Sequence, residues 1–285
     1  MFQENEFFIC EDFGLINIEG LDRFKFIQGI ISNDIEILKK KPSLYSSILT
    51  PQGKFLYDFF LSNYDNKFIL ETNKQNIQDL VKRLTLFKLR SDVTITNNEN
   101  FKIVLTKSKI ENTNSLAKAS LSFYDPRFKN FFFRSYVEKD KINLLKKNLQ
   151  ELSIKKYNEL RIKYSIPDFT LDSIIEKSLL LEMRFDQLNG ISWTKGCYLG
   201  QEITARMKHR KIVKKKIYKV IIDYKTNIKK DLISNDKIVG ELFSHTKKYG
   251  LAYIKTDFLD NKGPNIINSG DSRLTIDEPW WAKKN

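Results

Sequence analysis

The order of hydrophobic and polar positions along the N-terminal half of the chain predicts a mixture of strands and helices. Residues 13–19 show the two-residue period of a strand, and residues 21–31 carry apolar side chains at helical spacing. Two β-rich runs, 43–49 and 55–61, flank Thr50-Pro51-Gln52-Gly53, which is typical of a hairpin turn. Further strands are predicted at 67–71, 93–96, 101–105 and 131–137, a helix at 74–86, and one or two helices within 141–162. This mixture predicts an α+β fold with mostly antiparallel sheets.

The pattern changes near residue 208. Residues 206–219 contain eight Lys or Arg and no acidic residue. Short strand-like runs follow at 217–224, 237–243, 249–254 and 272–276, separated by Asn, Gly, Asp and Pro. Several short strands with turn residues between them predict a small β-barrel or sandwich. We therefore predict an α+β portion at 1–207 and a C-terminal β-barrel at 208–285, as the length of 285 residues also suggests.

Composition and charge narrow the classes of partner. Hydrophobic residues make up 41% and charged residues 29% of the chain, as in a folded globular protein. Lys and Arg outnumber Asp and Glu by 49 to 35, and this surplus favours an anionic partner such as RNA, a phosphate or a cofactor with a polyglutamate tail. Lysines that only solvate the surface explain the same surplus, so both interpretations stay open.

The few cysteines and histidines exclude a self-contained four-thiolate metal site and argue against a zinc site. The chain has two cysteines, Cys10 and Cys197, and two histidines, too few for a disulfide framework or a four-thiolate site. Residues 1–12 lack the basic and apolar stretches of a secretory signal, and no run approaches the ~18 apolar residues of a membrane helix. We therefore predict a soluble cytoplasmic protein with no membrane partner, whose thiols stay free in a reducing compartment.

The strongest candidate for chemistry is the segment 193–206. Gly196 and Gly200 bracket Cys197, which lets the backbone turn tightly and a ligand approach closely. A helix that begins after Gly200, together with the charge of Lys195, would favour the thiolate form of Cys197. A buried cysteine that packs as a small hydrophobic residue is the alternative.

Residues 195–202 read Lys-Gly-Cys-Tyr-Leu-Gly-Gln-Glu, which resembles the K-G-C-Y-x-G-Q-E signature of the YgfZ-type folate-binding proteins. These proteins are relatives of the glycine-cleavage T-protein and include a mitochondrial iron–sulfur assembly factor. Shorter matches cover nearly the whole chain, at 20–29 with 33–34, 51–54, 86–90, 125–127, 161 with 166–168, and 239–240 with 244.

The resemblance implies a T-protein-like ring made of an α+β N-terminal portion with two subdomains and a small C-terminal β-barrel, which encloses a channel for tetrahydrofolate. It also implies a role in the assembly or repair of iron–sulfur clusters in a subset of enzymes, including those that modify tRNA. The implied partners are folate and iron–sulfur assembly or client proteins. Direct nucleic-acid binding is less favoured because aromatic residues are sparse in the basic stretch.

The resemblance also implies which residues bind the cofactor. Glu182 lies where the family presents a carboxylate to the amino-pyrimidinone edge of the pterin, although an acid on a helix surface is the alternative. The other implied ligands are Arg90, Lys195, Tyr198, Gln201, Glu202 and Arg206. Structural ion pairing and plain solvation are the alternatives for the cations among them.

Cys197 is the predicted functional thiol and the predicted metal ligand. An iron–sulfur cluster needs about four thiolates, and the signature supplies one. Cys197 is therefore either one ligand of a transient cluster shared with a partner or a second copy, or a thiol that acts in redox exchange.

Two departures from the T-protein pattern concern catalysis and a turn. The T-protein has an Asp-Asp pair where this chain has Tyr57 and Asp58, and the loss of one carboxylate puts aminomethyl transfer in doubt. Asp58 stays the candidate catalytic acid, so a tetrahydrofolate-dependent aminomethyltransferase or methyltransferase is the first alternative function and an RNA-binding module the second. Ser165 replaces the family's glycine before Ile-Pro, and we expect it to change only the turn.

Overall fold

The computed structural model describes residues 1–113, 117–260 and 265–282. In chain order the strands are β1 (Glu6–Ile9), β2 (Phe13–Glu19), β3 (Ser43–Leu49), β4 (Phe55–Tyr64), β5 (Lys67–Asn73), β6 (Thr94–Asn98), β7 (Phe101–Thr106), β8 (Leu121–Tyr124), β9 (Phe133–Glu138), β10 (Gln150–Glu151), β11 (Lys215–Asp223), β12 (Asp231–Ser234), β13 (Lys237–His245), β14 (Tyr249–Lys255), β15 (Ile266–Ser269) and β16 (Ser272–Asp277). The α-helices are α1 (Arg23–Gln28), α2 (Lys74–Lys88), α3 (Ile142–Asn148), α4 (Ile154–Lys163), α5 (Gln201–Arg210) and α6 (Thr256–Asp260). Short 3-10 helices cover Ile35–Lys39, Ile110–Asn112 and Lys139–Lys141.

The chain forms two compact units, and each unit is assembled from three separate segments. The first unit comprises Met1–Pro51, Leu56–Ile154 and Leu188–Gln201. The second unit comprises Gln52–Phe55, Lys155–Gln187 and Glu202–Asn285. The predicted division at 207/208 is a single cut along the sequence and stays a prediction.

The first unit is built on two five-stranded sheets. One sheet has the order β10-β1-β7-β9-β8, and β1 pairs with β10 in parallel but with β7 antiparallel. The other has the order β3-β4-β5-β2-β6. Leu80 and Leu84 on one face of α2 lie in the same buried apolar cluster as Ile16 and Ile18 of β2, because residues four apart share a helix face and residues two apart share a strand face. This packing fixes α2 on the second sheet.

Buried charged side chains connect the two sheets of the first unit. Arg134 on β9 forms a salt bridge with Glu71 on β5, and its Nη1 lies 3.2 Å from Asp125 Oδ2. Arg127 Nη2 lies 2.9 Å from the same oxygen of Asp125. All four side chains are buried. Burial alone would raise the pKa of Asp125, but the guanidinium of Arg127 outweighs it and holds that pKa below its usual value.

The second unit contains a closed six-stranded barrel. The strand order is β11-β14-β13-β12-β15-β16, and β16 pairs back onto β11, so the barrel leaves no free strand edge. Its core includes Val220 on β11, Ala252 on β14 and Leu274 on β16, all fully buried. Two of its strands, β12 and β15, were not predicted because each is four residues long, too short for a distinctive pattern.

The mixed α+β fold with two sheets and a closed barrel confirms the predicted fold class. The strand at 13–19 and the hairpin strands β3 and β4 occur where predicted, and Gly53 in the connecting turn adopts a φ of +72° that favours glycine. The helix predicted over 21–31 is shorter and ends at Gln28. The helical pattern over 141–162 is interrupted by β10.

The substitution at Ser165 affects more than the turn. Ser165 has a left-handed φ of +55°, and its buried hydroxyl oxygen has no hydrogen-bond partner among the described residues. Its carbonyl accepts a hydrogen bond of 2.7 Å from Trp281 Nε1, which fixes the peptide in place. A glycine would avoid both the backbone strain and the unsatisfied hydroxyl.

We expect Arg134→Met to lower the free energy of unfolding by about 3–5 kcal/mol, because it leaves Glu71 buried without its partner. Lys141→Met is the control, because Lys141 forms an exposed pair of 2.8 Å with Glu138, and its loss should cost at most about 1 kcal/mol. Urea unfolding followed by circular dichroism measures both. Equal, small losses in the two variants would show that the buried charges do not hold the sheets together.

Candidate functional site

The loop that carries the signature, residues 188–200, is fastened to the segment that follows α1. Asn33 and Ser32 on that segment are buried and point their polar groups at the loop. Four hydrogen bonds make the connection: Asn33 Nδ2 to Asn189 O (2.8 Å), Ser32 Oγ to Gly190 O (2.7 Å), Ser192 N to Ser32 O (3.1 Å) and Leu199 N to Gly29 O (3.1 Å). We call residues 188–200 the signature loop.

The signature loop also contacts the backbone beside the buried charges of the first unit. The side-chain amide of Asn189 donates to the carbonyls of Pro126 (3.2 Å) and Arg127 (3.3 Å). The guanidinium of Arg127 lies 5.3 Å from the ring centre of Tyr45 and 5.0 Å from that of Phe60. The position of the loop therefore depends on the buried Arg127 and on its partner carboxylate.

Lys195 holds the middle of the signature loop through its ammonium group. Lys195 Nζ donates to three backbone carbonyls, those of Gln28 (2.7 Å), Ile31 (2.8 Å) and Asn33 (2.8 Å). Burial lowers the pKa of Lys195 to about 8, whereas Asp34 and the three carbonyl acceptors favour the charged form. An ammonium has three donors, so binding of the cofactor by Lys195, as the resemblance implies, would require one of these bonds to break.

Cys197 is exposed, whereas Cys10 is buried. Cys10 thus fits the alternative of a small packed hydrophobic residue, and Cys197 does not. Gly196 has open space where a side chain would stand, and Gly200 adopts a φ of +78° that favours glycine. The loop therefore presents one sulfur to solvent on a backbone that is anchored on both sides.

Tyr198 and Gln201 stabilise the junction between the signature loop and α5. Gln201 Oε1 accepts a hydrogen bond of 3.1 Å from Tyr198 N. The side chain of Tyr198 is buried, which raises the pKa of its hydroxyl to about 12. The ammonium of Lys195 lies 5.1 Å from the Tyr198 ring centre. Both residues support the loop in this structure, and their predicted contact with folate stays a prediction.

Glu202 and Arg206 form an i,i+4 ion pair on α5, with 2.9 Å between Glu202 Oε1 and Arg206 Nη2. Both side chains are exposed, so the pair contributes little to stability. Arg90 is also exposed, just beyond the end of α2. All three residues are thus exposed, and their assignment to folate stays a prediction.

Asp58 on β4 lies next to a buried tyrosine. Asp58 Oδ2 accepts a hydrogen bond of 2.7 Å from Tyr45 Oη, and burial together with the Asp58 carboxylate raises the pKa of Tyr45 well above its ordinary value. The neighbouring Tyr57 hydroxyl donates to Asp79 on α2. Asp58 is therefore a half-buried carboxylate that is hydrogen-bonded to Tyr45, and its catalytic role stays a prediction.

A cavity of about 1270 Å³ in the second unit contains Glu182, the predicted partner of the pterin. Its wall includes six lysines, namely Lys208, Lys211, Lys214, Lys215, Lys216 and Lys255, and the carboxylates of Glu182, Asp186 and Asp257. Apolar side chains, including Leu181, Met207 and Ile212, complete the lining. Charged side chains thus form most of the lining, whereas a usual small-molecule site has a mostly apolar wall.

Glu182 is a buried carboxylate on an irregular segment, so it is not an acid on a helix surface. Its backbone is fixed, because its carbonyl accepts a hydrogen bond of 3.0 Å from Ile217 N on β11. Burial raises the pKa of Glu182, and Lys215, Lys54 and Lys214 oppose that effect. Burial also raises the pKa of Asp186 in the same cavity. The cavity therefore holds carboxyl groups that gain from a hydrogen-bond donor.

The lysines of this cavity were not predicted as a site. In the sequence they form part of the basic stretch 206–219, for which a solvated strand face is a sufficient explanation. Lys255 comes from a different strand, and the register of β11 with β14 pairs it with Lys215. Arg184 also lines the cavity, with a left-handed φ of +55° and its guanidinium 4.4 Å from the Tyr218 ring centre.

The described part of the chain contains no group of three or more His, Cys, Asp or Glu side chains placed to hold a metal ion. A cluster bound at Cys197 would therefore need further ligands from outside these residues. None of the helices described in the structure has the length and apolar character needed to cross a membrane.

Comparison with known proteins gives a match to a family model and a match in fold to a solved structure. Residues 214–284 match the family model described as CAF17, C-terminal beta-barrel domain. The chain is also similar in fold to the glycine cleavage system aminomethyltransferase T of Bartonella henselae, with a TM-score of 0.79 over 97% of this chain and 86% of that one. The two chains are 13% identical, so this likeness concerns the fold alone.

Curated relatives of the chain are named as iron-sulfur cluster assembly factor IBA57 or its homologue. The Mycosarcoma maydis protein is 29% identical over 72% of this chain, which spans 54% of that protein's length. The mouse protein is 24% identical over 94% of this chain and 83% of its own length. The Dictyostelium discoideum protein is 27% identical over 74% of this chain and 61% of its own length.

The names of these relatives describe mitochondrial proteins, which contradicts the predicted cytoplasmic location. The prediction of a cytoplasmic protein is therefore wrong. The prediction rested on free thiols, which indicate a reducing environment. Such an environment is not confined to the cytoplasm, so the thiols do not identify the compartment.

We expect Lys195→Met to lower the free energy of unfolding by about 2–4 kcal/mol, because the carbonyls of Gln28, Ile31 and Asn33 lose a charged donor. Lys82→Met is the matched control, since Lys82 is an exposed lysine on α2 whose loss should change stability by less than about 0.5 kcal/mol. Chemical unfolding measures both variants. A Lys195→Met protein as stable as the control would mean that the ammonium does not anchor the signature loop.

Proposed function

We propose that this chain is a factor in iron–sulfur cluster assembly or repair, in which Cys197 is the working thiol and the cavity around Glu182 binds tetrahydrofolate. The observation that carries the proposal is the exposure of Cys197 on a loop anchored by Lys195 and by residues 29–33. The names of the curated relatives support the assembly role. The proposed clients are a subset of iron–sulfur enzymes, including enzymes that modify tRNA, as the sequence resemblance implies.

The proposed role of Cys197 follows from what a single thiol can do. When Cys197 loses its proton, its sulfur can supply one ligand to an iron of the cluster, which is the cargo. The remaining ligands, about three for a cluster with four thiolates, must then come from a partner protein or a second copy of the chain. An exposed, fixed sulfur suits this sharing because a partner can approach it without unfolding the loop. Redox exchange by the same thiol is the alternative chemistry.

The proposed folate site rests on the fit between the cavity and the chemistry of tetrahydrofolate. The amino-pyrimidinone edge of a pterin carries N–H donors, and the buried carboxylate of Glu182 can accept from them. Leu181, Met207 and Ile212 supply apolar contacts for a flat ring. The lysines of the wall suit a ligand that carries carboxylates. A hydrogen-bond acceptor, apolar surface and cations are thus all present in one cavity.

Aminomethyl or methyl transfer has less support as the function of this chain. Asp58 has no acidic neighbour in its strand, where Tyr57 stands instead, and the Tyr57 hydroxyl is bound to Asp79. Asp58 itself is hydrogen-bonded to Tyr45. The likeness to an aminomethyltransferase concerns the fold, and a fold can carry unrelated functions.

We expect Cys197→Ser to abolish rescue of iron–sulfur enzyme activity in cells that lack their own relative of this protein. The free energy of unfolding should change by less than about 0.5 kcal/mol, because the side chain is exposed. Cys10→Ala is the matched control, since it removes the other thiol and should keep rescue activity. Full rescue by Cys197→Ser, with both proteins present at equal levels, would refute a role for the thiol.

We expect Glu182→Gln to weaken the binding of tetrahydrofolate by about 10- to 100-fold, as for the loss of a charged hydrogen bond. In the unchanged protein the affinity should fall as the pH is lowered through the raised pKa of Glu182, because the protonated carboxyl no longer accepts from the pterin. Glu182→Gln should bind weakly without this pH dependence, and calorimetry at several pH values measures both effects.

Asp257→Asn is the matched control for Glu182→Gln, because Asp257 is an exposed carboxylate in the wall of the same cavity. It should keep both the affinity and the pH dependence. If Glu182→Gln and Asp257→Asn bind alike, Glu182 is not the partner of the pterin.

A further inference from the structure

Two neighbouring loops of the first unit expose large apolar side chains to solvent. Leu21 precedes α1 and is 88% exposed, and Leu89 follows α2 and is 85% exposed. Leu86 and Phe87 in the last turn of α2 are 64% and 37% exposed. Exposed apolar residues that stand singly are normal, whereas a group of them marks an interaction site. We call Leu21, Leu86, Phe87 and Leu89 the apolar patch.

Hydrogen bonds between the two loops bring the members of the apolar patch together. Asp22 N donates to Asp92 O (3.2 Å), and Asp92 N donates to Asp22 Oδ2 (2.8 Å). The backbone N–H of Leu21 donates to Asp92 Oδ2 (3.2 Å). Asp92 lies three residues after Leu89, so these bonds hold Leu21 beside the turn that carries Leu89.

The backbone of Leu89 is strained. Its φ of +46° and ψ of −110° fall in a region that glycine adopts readily and leucine rarely adopts. Packing does not offset this strain, because the side chain of Leu89 is exposed. Folding alone therefore favours glycine at position 89. A leucine that lowers stability and lies in solvent is expected where its side chain contacts a partner.

The surroundings of the apolar patch carry a positive charge. Residues 20–28 and 79–93 contain three acidic residues and twice as many basic ones, namely Arg23, Lys25, Lys82, Arg83, Lys88 and Arg90. Asp22 and Asp92 accept hydrogen bonds from backbone N–H groups, and Asp79 lies in an ion pair. A basic surface attracts an acidic one and repels a second copy of itself. The charge therefore favours a different, acidic protein over a symmetric dimer.

The exposed face of α1 connects the apolar patch to the signature loop. Lys25 on α1 and Gly29 at its C-cap are both exposed and lie four residues apart, so they share one face. The carbonyl of Gly29 accepts a hydrogen bond of 3.1 Å from Leu199 N, two residues after Cys197. A helix of six residues is about 9 Å long. A protein that covers the apolar patch therefore also reaches the signature loop.

We propose that the apolar patch is the docking surface for the protein that shares an iron–sulfur cluster with Cys197. This inference rests on the proposed function of Cys197. The partner has an apolar depression bordered by Asp or Glu, which receives Leu21 and Leu89 while Lys25 and Lys82 face its acidic border. Contact at the apolar patch fixes the orientation in which the partner offers its own ligands to the cluster.

Rescue of iron–sulfur enzyme activity in cells that lack their own relative tests the docking surface with the full-length chain. The double variant Leu21→Ser, Leu89→Gly should lower rescue about tenfold, because two central contacts of the interface are lost. Leu89→Gly alone should raise the melting temperature, because glycine relieves the backbone strain. Leu171→Ser, Ile238→Ser is the matched control, since it removes two exposed apolar side chains of the second unit and should keep full rescue.

Cross-linking in the same cells tests whether one protein covers both places. Photoreactive p-benzoylphenylalanine in place of Leu89 and a bismaleimide that reacts at Cys197 should join the chain to the same protein, as identified by mass spectrometry. Lys25→Glu, Lys82→Glu should abolish the photo-cross-link, because the reversed charges repel an acidic partner.

The outcomes separate the docking surface from the function of the thiol. Full rescue by the double variant, with Cys197→Ser inactive, overturns the docking surface and leaves the role of Cys197 intact, whereas full rescue by both overturns both. Lost rescue with a lower melting temperature of Leu89→Gly assigns the effect to folding and overturns the inference. Different proteins captured from position 89 and from Cys197 also overturn it.

Two further measurements with the purified chain test other occupants of the apolar patch. The chain should not float with vesicles of phosphatidylcholine and phosphatidylglycerol, and it should sediment as a monomer. Flotation that the double variant loses would make the apolar patch a membrane contact. A dimer that the double variant loses would make it a contact between copies of the chain. Either result overturns the inference.

Discussion

The burial of Glu71, Arg134, Asp125 and Arg127 is the constraint on which the first unit depends. A charge removed from water is tolerated only where an opposite charge and hydrogen bonds replace the lost solvation, so these side chains must keep one arrangement. Arg134 thereby fixes β9 against β5, and Asp125 fixes the loop at 125–127. Carbonyls of that loop hold Asn189, where the signature loop begins its path toward Cys197.

Cys197 is exposed on a backbone that hydrogen bonds hold on both sides of the thiol. Residues on both sides of the thiol are bound, Lys195 through its ammonium and Leu199 through its backbone, while Gly196 leaves open space. A flexible loop would present the sulfur in many orientations, and a partner would have to select one of them at an entropic cost. In the second unit, Glu182 is buried in a cavity lined by lysines, and Lys215 and Lys214 oppose the rise in its pKa that burial causes.

Much of the architecture follows from local sequence, and the site follows from it only in part. The strand β2 and the helix α2 occur where their sequence patterns predict them. Each element buries one face locally, so apolar residues two apart in β2 and four apart in α2 lie in the core. The signature, by its resemblance, directs attention to Cys197. The anchoring of Lys195 could not be predicted, because its acceptors lie 162 to 167 residues away along the chain. Five of the six lysines of the Glu182 cavity come from the basic stretch 206–219, and strand register adds the sixth by pairing Lys255 with Lys215.

The contrast between Cys10 and Cys197 limits how this molecule can be cross-linked. Cys10 is shielded in the interior, so the folded chain offers a thiol-specific reagent a single thiol. A chain with one reachable thiol can form a disulfide with one other chain and no more. Disulfide formation by the folded protein on its own would therefore stop at pairs and could not build longer polymers, and a thiol-specific label would mark one position.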